Sequence, residues 1–145
     1  VSEDGTCELE LRSYDEWPAN VPARLRLAAA PVDSRTVFLR HKTTWRKPYE
    51  EAIAVAGASG ECDDVVLFNE HGEVTETTRA TIFVARKSRL VTPPVECGLL
   101  PGILREVLLE EGKAVESIIT IEELKRAPEI YIGNSVRGLL RARLI

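Results

Sequence analysis

One lysine and one glutamate are the candidates for covalent and acid–base chemistry. Lys42 lies in the segment HKTTWR, which we predict to follow a strand. A lysine can form an imine with a carbonyl compound when a partly dry site lets its amine lose a proton. Glu76 follows a glycine turn, and a buried carboxylate can keep a heterocyclic nitrogen protonated. Each signal alone is weak, because most lysines and hairpin glutamates are solvated surface residues.

Two further segments have the residue types that bind anions. In one, a glycine precedes the predicted helix ILREVLLEEG, whose first backbone N–H groups and dipole form an anion site. In the other, GNSVRG, an amide, a hydroxyl and a guanidinium could contact a carboxylate or phosphate. The residues concerned are Gly102, Ile103 and Leu104 in the first segment, and Asn134, Ser135 and Arg137 in the second. An ordinary helix start and a hairpin turn with a solvated arginine are the alternatives.

Strands outnumber helices in the elements that must position these residues. Alternating apolar and polar residues predict strands over 6–11 and 24–30, and β-favouring residues predict another over 36–41. Further strands are expected at 65–69, within 74–85, and at 89–92, 114–119, 129–132 and 139–144. Helices are expected after Pro48, Gly102 and Thr120, the last with a capping box to Glu123. Because strands and helices do not alternate strictly, we predict a mixed α/β fold: a distorted mixed-sheet barrel with a few covering helices.

Composition limits the classes of function. The 145 residues suit one domain, and the formal net charge of −4 gives no basic face for nucleic acid. No apolar run is long enough to span a membrane. Three widely spaced cysteines do not suggest a disulfide framework or a metal site, so we interpret them as reduced thiols of a cytoplasmic protein. The chain has no methionine, not even at position 1, which is consistent with a fragment of a longer polypeptide.

Four segments, in this order, resemble the class IV aminotransferase superfamily. They are HKTTWR, FNEHGEVTETTRATIF, TPPVECGLLPGILRE and GNSVRG. The pattern is most similar to the aminodeoxychorismate lyase branch, which is often fused behind a chorismate-binding component. The resemblance begins near Arg24 and implies that residues 36–145 are the large pyridoxal-phosphate-binding domain of enzymes like D-amino acid aminotransferase. Residues 1–35 would be linker strands, and the small N-terminal domain of the family would be absent.

The resemblance assigns roles to individual residues. Lys42 matches the lysine that links to pyridoxal 5'-phosphate and moves protons, and Glu76 matches the partner of the pyridine nitrogen. The remaining assignments are Gly102, Ile103, Leu104 and Ser135 to the cofactor phosphate, Arg46 to the cofactor's surroundings, and Asn134 and Arg137 to the substrate. The pattern departs from the family at Leu104, where a threonine is common, and at Thr81, where an asparagine is usual. Branched-chain enzymes have a tyrosine at the position of Lys47.

The activity implied is that of a lyase in folate biosynthesis, which converts aminodeoxychorismate to para-aminobenzoate and pyruvate. Lys42 would remove a proton from the substrate, and Glu76 would support the electron-accepting ring. Two alternatives stay open: a transaminase of branched-chain or D-amino acids, and an inactive truncated domain with a structural or dimerisation role. A small-molecule substrate, a cytoplasmic homodimer and an upstream chorismate-binding domain are further expectations from the resemblance.

Overall fold

The computed structural model describes residues 3–7, 9–10, 20–56 and 60–145. Its strands are β1 (Ala23–Leu27), β2 (Asp64–Phe68), β3 (Val74–Thr77), β4 (Thr81–Arg86), β5 (Arg89–Thr92), β6 (Ala114–Glu116), β7 (Ile130–Asn134) and β8 (Gly138–Leu144). Its α-helices are α1 (Lys47–Ala56), α2 (Ile103–Glu110) and α3 (Ile121–Arg126). Short 3-10 helices lie at Val37–Arg40 and Val95–Cys97.

The eight strands form one mixed sheet in the order β3-β2-β1-β8-β7-β4-β5-β6. β1 is parallel to both of its neighbours, β2 and β8, and β5 is parallel to β6, while the other pairs are antiparallel. The sheet curls until its two edges meet. The Val74 N–H donates to Ile119 O at 2.8 Å, which joins β3 to the segment that follows β6. The consecutive strands β3 and β4 stand five places apart in the sheet and are joined by a tight turn, in which the Thr77 N–H donates to Ala80 O at 2.8 Å.

Several strands are buried on both faces, which explains their continuous apolar runs. In β2, Val66 packs into the core enclosed by the curled sheet, whereas Val65 and Leu67 pack under α1. In β4, Ile82 faces the enclosed core and Phe83 packs against α2. Helices α1 and α2 therefore cover the outside of the sheet, whereas α3 contributes Leu124 to the enclosed core.

The predicted mixed α/β fold is confirmed, and so are the helices after Pro48 and Gly102 and the capping box. The Thr120 hydroxyl accepts from the Glu123 N–H, and the Glu123 carboxylate accepts from the Thr120 N–H. The strand predicted over 24–30 ends earlier, at Leu27. The strand predicted over 114–119 ends at Glu116.

Two strand predictions near the N-terminus fail. Over 36–41 the chain forms a 3-10 helix instead, which turns Leu39 into the cluster beneath α1, where it is buried. Burial of that side chain outweighs the local β preference of Thr36 and Val37. Of the strand predicted over 6–11, the described residues (6, 7, 9 and 10) are not in a strand, and residues 8 and 11 lie outside the described ranges. β1 comes from the stretch predicted to be linker strands, 1–35, and it lies between β2 and β8.

The described ranges contain no helix that is long and apolar enough to span a membrane. The three cysteines, Cys7, Cys62 and Cys97, are free. Within those ranges there is also no cluster of three or more histidine, cysteine or acidic residues that could hold a metal ion.

Candidate active site

A cavity of about 220 Å³ opens where four loops meet on one side of the curled sheet. Its walls come from the segment between the first 3-10 helix and α1, the turn between β3 and β4, the loop into α2, and the turn after β7. The predicted site residues that line it are Lys42, Arg46, Glu76, Gly102, Ile103, Leu104, Asn134 and Ser135. The fold therefore brings together four segments that are far apart in the sequence.

Lys42 lies in the wall of this cavity, on the loop that connects the 3-10 helix to α1. The residue is exposed, so the described residues do not provide the partly dry surroundings that the sequence predicts for it. It also follows a 3-10 helix and not the predicted strand. Four residues later, Arg46 donates from Nη2 to Thr78 O at 2.6 Å, which ties the loop to the turn between β3 and β4.

Glu76 is buried at the inner end of the cavity, with 6% of its surface exposed. The hairpin glutamate is therefore not a solvated surface residue. Its Oε1 accepts a hydrogen bond from the hydroxyl of Tyr49 at 2.7 Å and another from the Leu100 N–H at 3.3 Å. Tyr49 itself is buried in the first turn of α1. The carboxyl group is thus held from two directions by groups that donate hydrogen bonds.

Burial raises the pKa of the Glu76 carboxyl to about 7 from an ordinary value of 4.5. The hydrogen bonds from Tyr49 and Leu100 and the charge of Arg46 oppose this rise in pKa, because they stabilise the ionised form. The nearby carboxylate of Asp64 adds to it. Near neutral pH the Glu76 carboxyl can therefore hold or release a proton.

Asp64 fixes the backbone of the turn that follows Glu76. Its Oδ1 accepts from the Thr78 hydroxyl at 2.5 Å and from the Thr78 N–H at 3.1 Å. The carbonyl of the same threonine accepts from Arg46. This turn is therefore fastened to β2 on one side and to the lysine-bearing loop on the other.

The start of α2 forms another wall. Gly102 is the N-cap residue, and no side chain caps the helix. The first backbone N–H groups of α2, starting at Ile103, therefore lie at the cavity without a capping acceptor. A Cβ at Gly102 would be 3.3 Å from Thr81 Oγ1, so glycine lets the loop before α2 approach β4 closely. An uncapped helix start with close backbone access is suited to an anionic group.

Leu104 and Gly133 pack directly against each other beside this helix start. A Cβ at Gly133 would lie 2.6 Å from Leu104 Cδ2 and 2.7 Å from Gly138 O. The backbone of Gly133 is extended near the end of β7, a conformation that any residue can adopt. Close packing, and not backbone conformation, therefore requires glycine here. The contact sets how closely the first turn of α2 approaches the turn after β7.

The turn after β7 is shaped by the Asn134 side chain. Its Oδ1 accepts from the N–H groups of Val136 and Arg137 at 3.0 and 2.9 Å, and its Nδ2 donates to Arg79 O at 3.1 Å. Ser135 is exposed at the cavity. Arg137 lies outside the cavity and lines a smaller neighbouring one of about 60 Å³, to which Asn134 also contributes. The predicted substrate residues are thus divided between two adjoining cavities.

Sequence reasoning missed Tyr49 and Arg79. Tyr49 reads as one more apolar residue of an amphipathic helix, and nothing local connects it to a glutamate 27 positions away. Arg79 follows Glu76 by three residues and lines both cavities. With Lys42 and Arg46 it gives the larger cavity a positive character that suits an anionic ligand. The only signal in the sequence was its position within the TETTRAT segment.

The chain resembles known proteins over most of its length. A family model described as "Amino-transferase class IV" matches residues 6–145. A crystal structure from Mesorhizobium loti named "Putative amino-acid aminotransferase" superposes with a TM-score of 0.86 and 40% identity, covering 92% of this chain and 65% of that one.

Two curated relatives have names from different branches. "Putative aminodeoxychorismate lyase" of Schizosaccharomyces pombe is 33% identical over 109 residues, 72% of this chain and 47% of the relative. "Branched-chain-amino-acid aminotransferase 1, mitochondrial" of Arabidopsis thaliana is 31% identical over 98 residues, 63% of this chain and 26% of the relative. This chain therefore spans less than half of the curated relatives it matches.

Proposed function

The chain belongs to the class IV aminotransferase family, and from that premise we propose that it is a pyridoxal-phosphate-dependent lyase that converts aminodeoxychorismate to para-aminobenzoate and pyruvate. The observation that carries the proposal is the shared cavity of an accessible amine, Lys42, and a buried carboxyl, Glu76. Members of this family are pyridoxal-phosphate-dependent enzymes, and one structural neighbour is described in its PLP form.

The residues in the cavity fit the three functional parts of this cofactor. The amine of Lys42 would bond to the aldehyde carbon, and the carboxylate of Glu76 would pair with the pyridine nitrogen. The uncapped start of α2, at Gly102, Ile103 and Leu104, would accept the phosphate, with Ser135 across the cavity. All of these residues fall within 36–145, which we propose as the cofactor-binding domain.

When bound, pyridoxal phosphate supplies an electron sink for negative charge that develops on the carbon next to the substrate amine. Lys42 would remove the proton from that carbon and later return a proton where the product requires one. In aminodeoxychorismate, loss of this proton would let the bond between the ring and the enolpyruvyl oxygen break, which makes the ring aromatic. Protonation of the released enolate at its methylene carbon would then give pyruvate. Arg46 and Arg79 at the cavity would attract the negatively charged substrate. We propose that Asn134 and Arg137 also bind the substrate.

Two observations favour the lyase over a transaminase. The Schizosaccharomyces pombe relative with the lyase name matches 72% of this chain. The position five residues after Lys42 is a lysine, where branched-chain enzymes have a tyrosine. The transaminase is the second candidate, because the Mesorhizobium loti structure with an aminotransferase name is 40% identical. We propose further that the reaction serves folate biosynthesis, that the protein is a cytoplasmic homodimer, and that a chorismate-binding domain lies upstream of this chain.

The test uses the chain, a Lys42→Ala variant and a Lys47→Ala control, which removes an exposed lysine at the first residue of α1. Each is incubated with pyridoxal phosphate, reduced with borohydride and mapped by mass spectrometry. We expect the cofactor on Lys42 in the parent and in the control, and on no residue in Lys42→Ala. Equal labelling of Lys42→Ala and the parent would show that this lysine is not the cofactor's partner.

Activity separates the candidate functions. With aminodeoxychorismate, we expect para-aminobenzoate and pyruvate in equal amounts from the parent and Lys47→Ala, and neither product from Lys42→Ala. A panel of amino acids with 2-oxoglutarate provides the comparison. Fast amino transfer without para-aminobenzoate would establish the transaminase instead. Absence of both reactions and of borohydride labelling would favour the inactive structural domain.

A further inference from the structure

A buried tyrosine holds one oxygen of the Glu76 carboxyl. The Tyr49 hydroxyl donates to Oε1 at 2.7 Å, and the Leu100 N–H donates to the same oxygen at 3.3 Å. Among the described residues, no hydrogen bond to Oε2 is found. The two oxygens of this carboxyl are therefore unequal, since one is bound by protein and the other is left for a ligand.

The position of the tyrosine is itself well determined. Its ring is buried in the first turn of α1, in the cluster that packs against β2. The guanidinium of Arg46 lies over the ring face, with Cζ 4.7 Å from the ring centroid. Burial and the neighbouring charge of Glu76 raise the pKa of the Tyr49 phenol, so the hydroxyl keeps its proton and acts as a donor.

We propose that Tyr49 is a positioning residue: by donating to Oε1 of Glu76 it favours the ionised carboxylate and leaves Oε2 to pair with the cofactor's pyridine nitrogen. This inference rests on the proposed function, because it takes that nitrogen to be the ligand of Oε2. It does not follow from the sequence pattern, in which the tyrosine and the glutamate belong to separate segments.

Other charged groups around Glu76 must be included in any measurement of its titration. They are His41, Lys42 and Arg46 on the loop before α1, Asp64 on β2, and Arg79 in the turn after β3. All of these are unchanged in a Tyr49→Phe variant, which removes the hydroxyl and keeps the ring. A difference between this variant and the parent therefore reports the hydroxyl alone.

The first measurement needs no cofactor. The carboxyl ¹³C signal of Glu76, assigned by its absence in Glu76→Gln, is followed by NMR through a pH titration of the parent and of Tyr49→Phe. Losing a donor to the ionised form should move the midpoint upward by about one pH unit. The matched control is Tyr131→Phe, which also removes a hydroxyl that donates to a carboxylate, Glu129, at 3.2 Å. We expect the control to leave the Glu76 midpoint where it is in the parent.

The second measurement is the dissociation constant for pyridoxal phosphate between pH 6 and pH 9. The variant-to-parent ratio should be about tenfold below pH 7 and approach one at pH 9, where the carboxyl is ionised in both proteins. A ratio that is the same at every pH would mean that Tyr49 serves packing only, and an unmoved NMR midpoint would overturn the inference. If the parent binds no cofactor, the proposed function fails, while the NMR titration still decides the role of Tyr49.

Discussion

Replacing Glu76 by glutamine should stabilise the cofactor-free chain at alkaline pH. Burial raises the pKa of this carboxyl from 4.5 to about 7, so between these values the folded chain holds a proton that the unfolded chain has lost. The free energy of unfolding therefore decreases as the pH rises through this interval, by about 3 kcal/mol, and stays at the lower value above it. Glutamine is neutral at every pH and can still accept the hydrogen bond of Tyr49. The variant should match the parent near pH 4.5 and exceed it by about 3 kcal/mol at pH 8.

Urea denaturation of both proteins at half-unit steps from pH 4.5 to pH 8 measures this difference. Other groups that titrate, such as Glu70 with its pKa lowered to about 2, are common to both proteins and cancel. The control is Glu122→Gln. Glu122 is an exposed carboxylate paired with Lys125, and this pairing lowers the pKa of Glu122. The Glu122 carboxylate is therefore ionised in the folded and the unfolded chain above pH 5. Its curve should run parallel to that of the parent. Parallel curves for Glu76→Gln and the parent would refute the reasoning, because the buried carboxyl would then carry no cost of ionisation.

Three other substitutions test packing, helix capping and ion pairing in the fold, each by urea denaturation. Gly133→Ala should lower the free energy of unfolding by about 1–3 kcal/mol, because the new Cβ would be 2.6 Å from Leu104 Cδ2. The same substitution should weaken cofactor binding. Unchanged values would mean that the first turn of α2 and the turn after β7 can move apart without cost. Thr120→Ala removes the cap of α3 and should cost about 1 kcal/mol without affecting the cofactor. Glu116→Gln removes the charge paired with the buried Arg105 and should cost about 2 kcal/mol; a neutral result would mean that the arginine is held by its bond to a backbone carbonyl.

Local sequence was sufficient wherever neighbouring residues decide the outcome. The capping box at Thr120 depends on residues three positions apart, and the helix after Gly102 depends on one amphipathic stripe. The mixed fold also followed, because the count and order of apolar segments leave few other ways to bury them. Lys42 and Glu76 are predicted from their residue types and local sequence, and the resemblance to a family predicts that they share one site.

Local sequence was misleading where a distant contact decided the outcome. Thr36 and Val37 favour a strand, yet the chain turns there because Leu39 is buried beneath α1. Tyr49 is locally one residue of a helix face, and only the fold brings its hydroxyl to a carboxyl 27 positions away. The exposure of Lys42, against the predicted dry surroundings, is likewise visible only once the four walls of the cavity are assembled.

The sequence alone therefore determined which groups are available and which short segments form helices and strands. The tertiary structure decided which oxygen of Glu76 is left open, how far burial raises its pKa, and which arginines reach the cavity. The reason is that desolvation and hydrogen-bond geometry depend on the closeness of atoms, and closure of the sheet sets those distances for residues far apart in the chain.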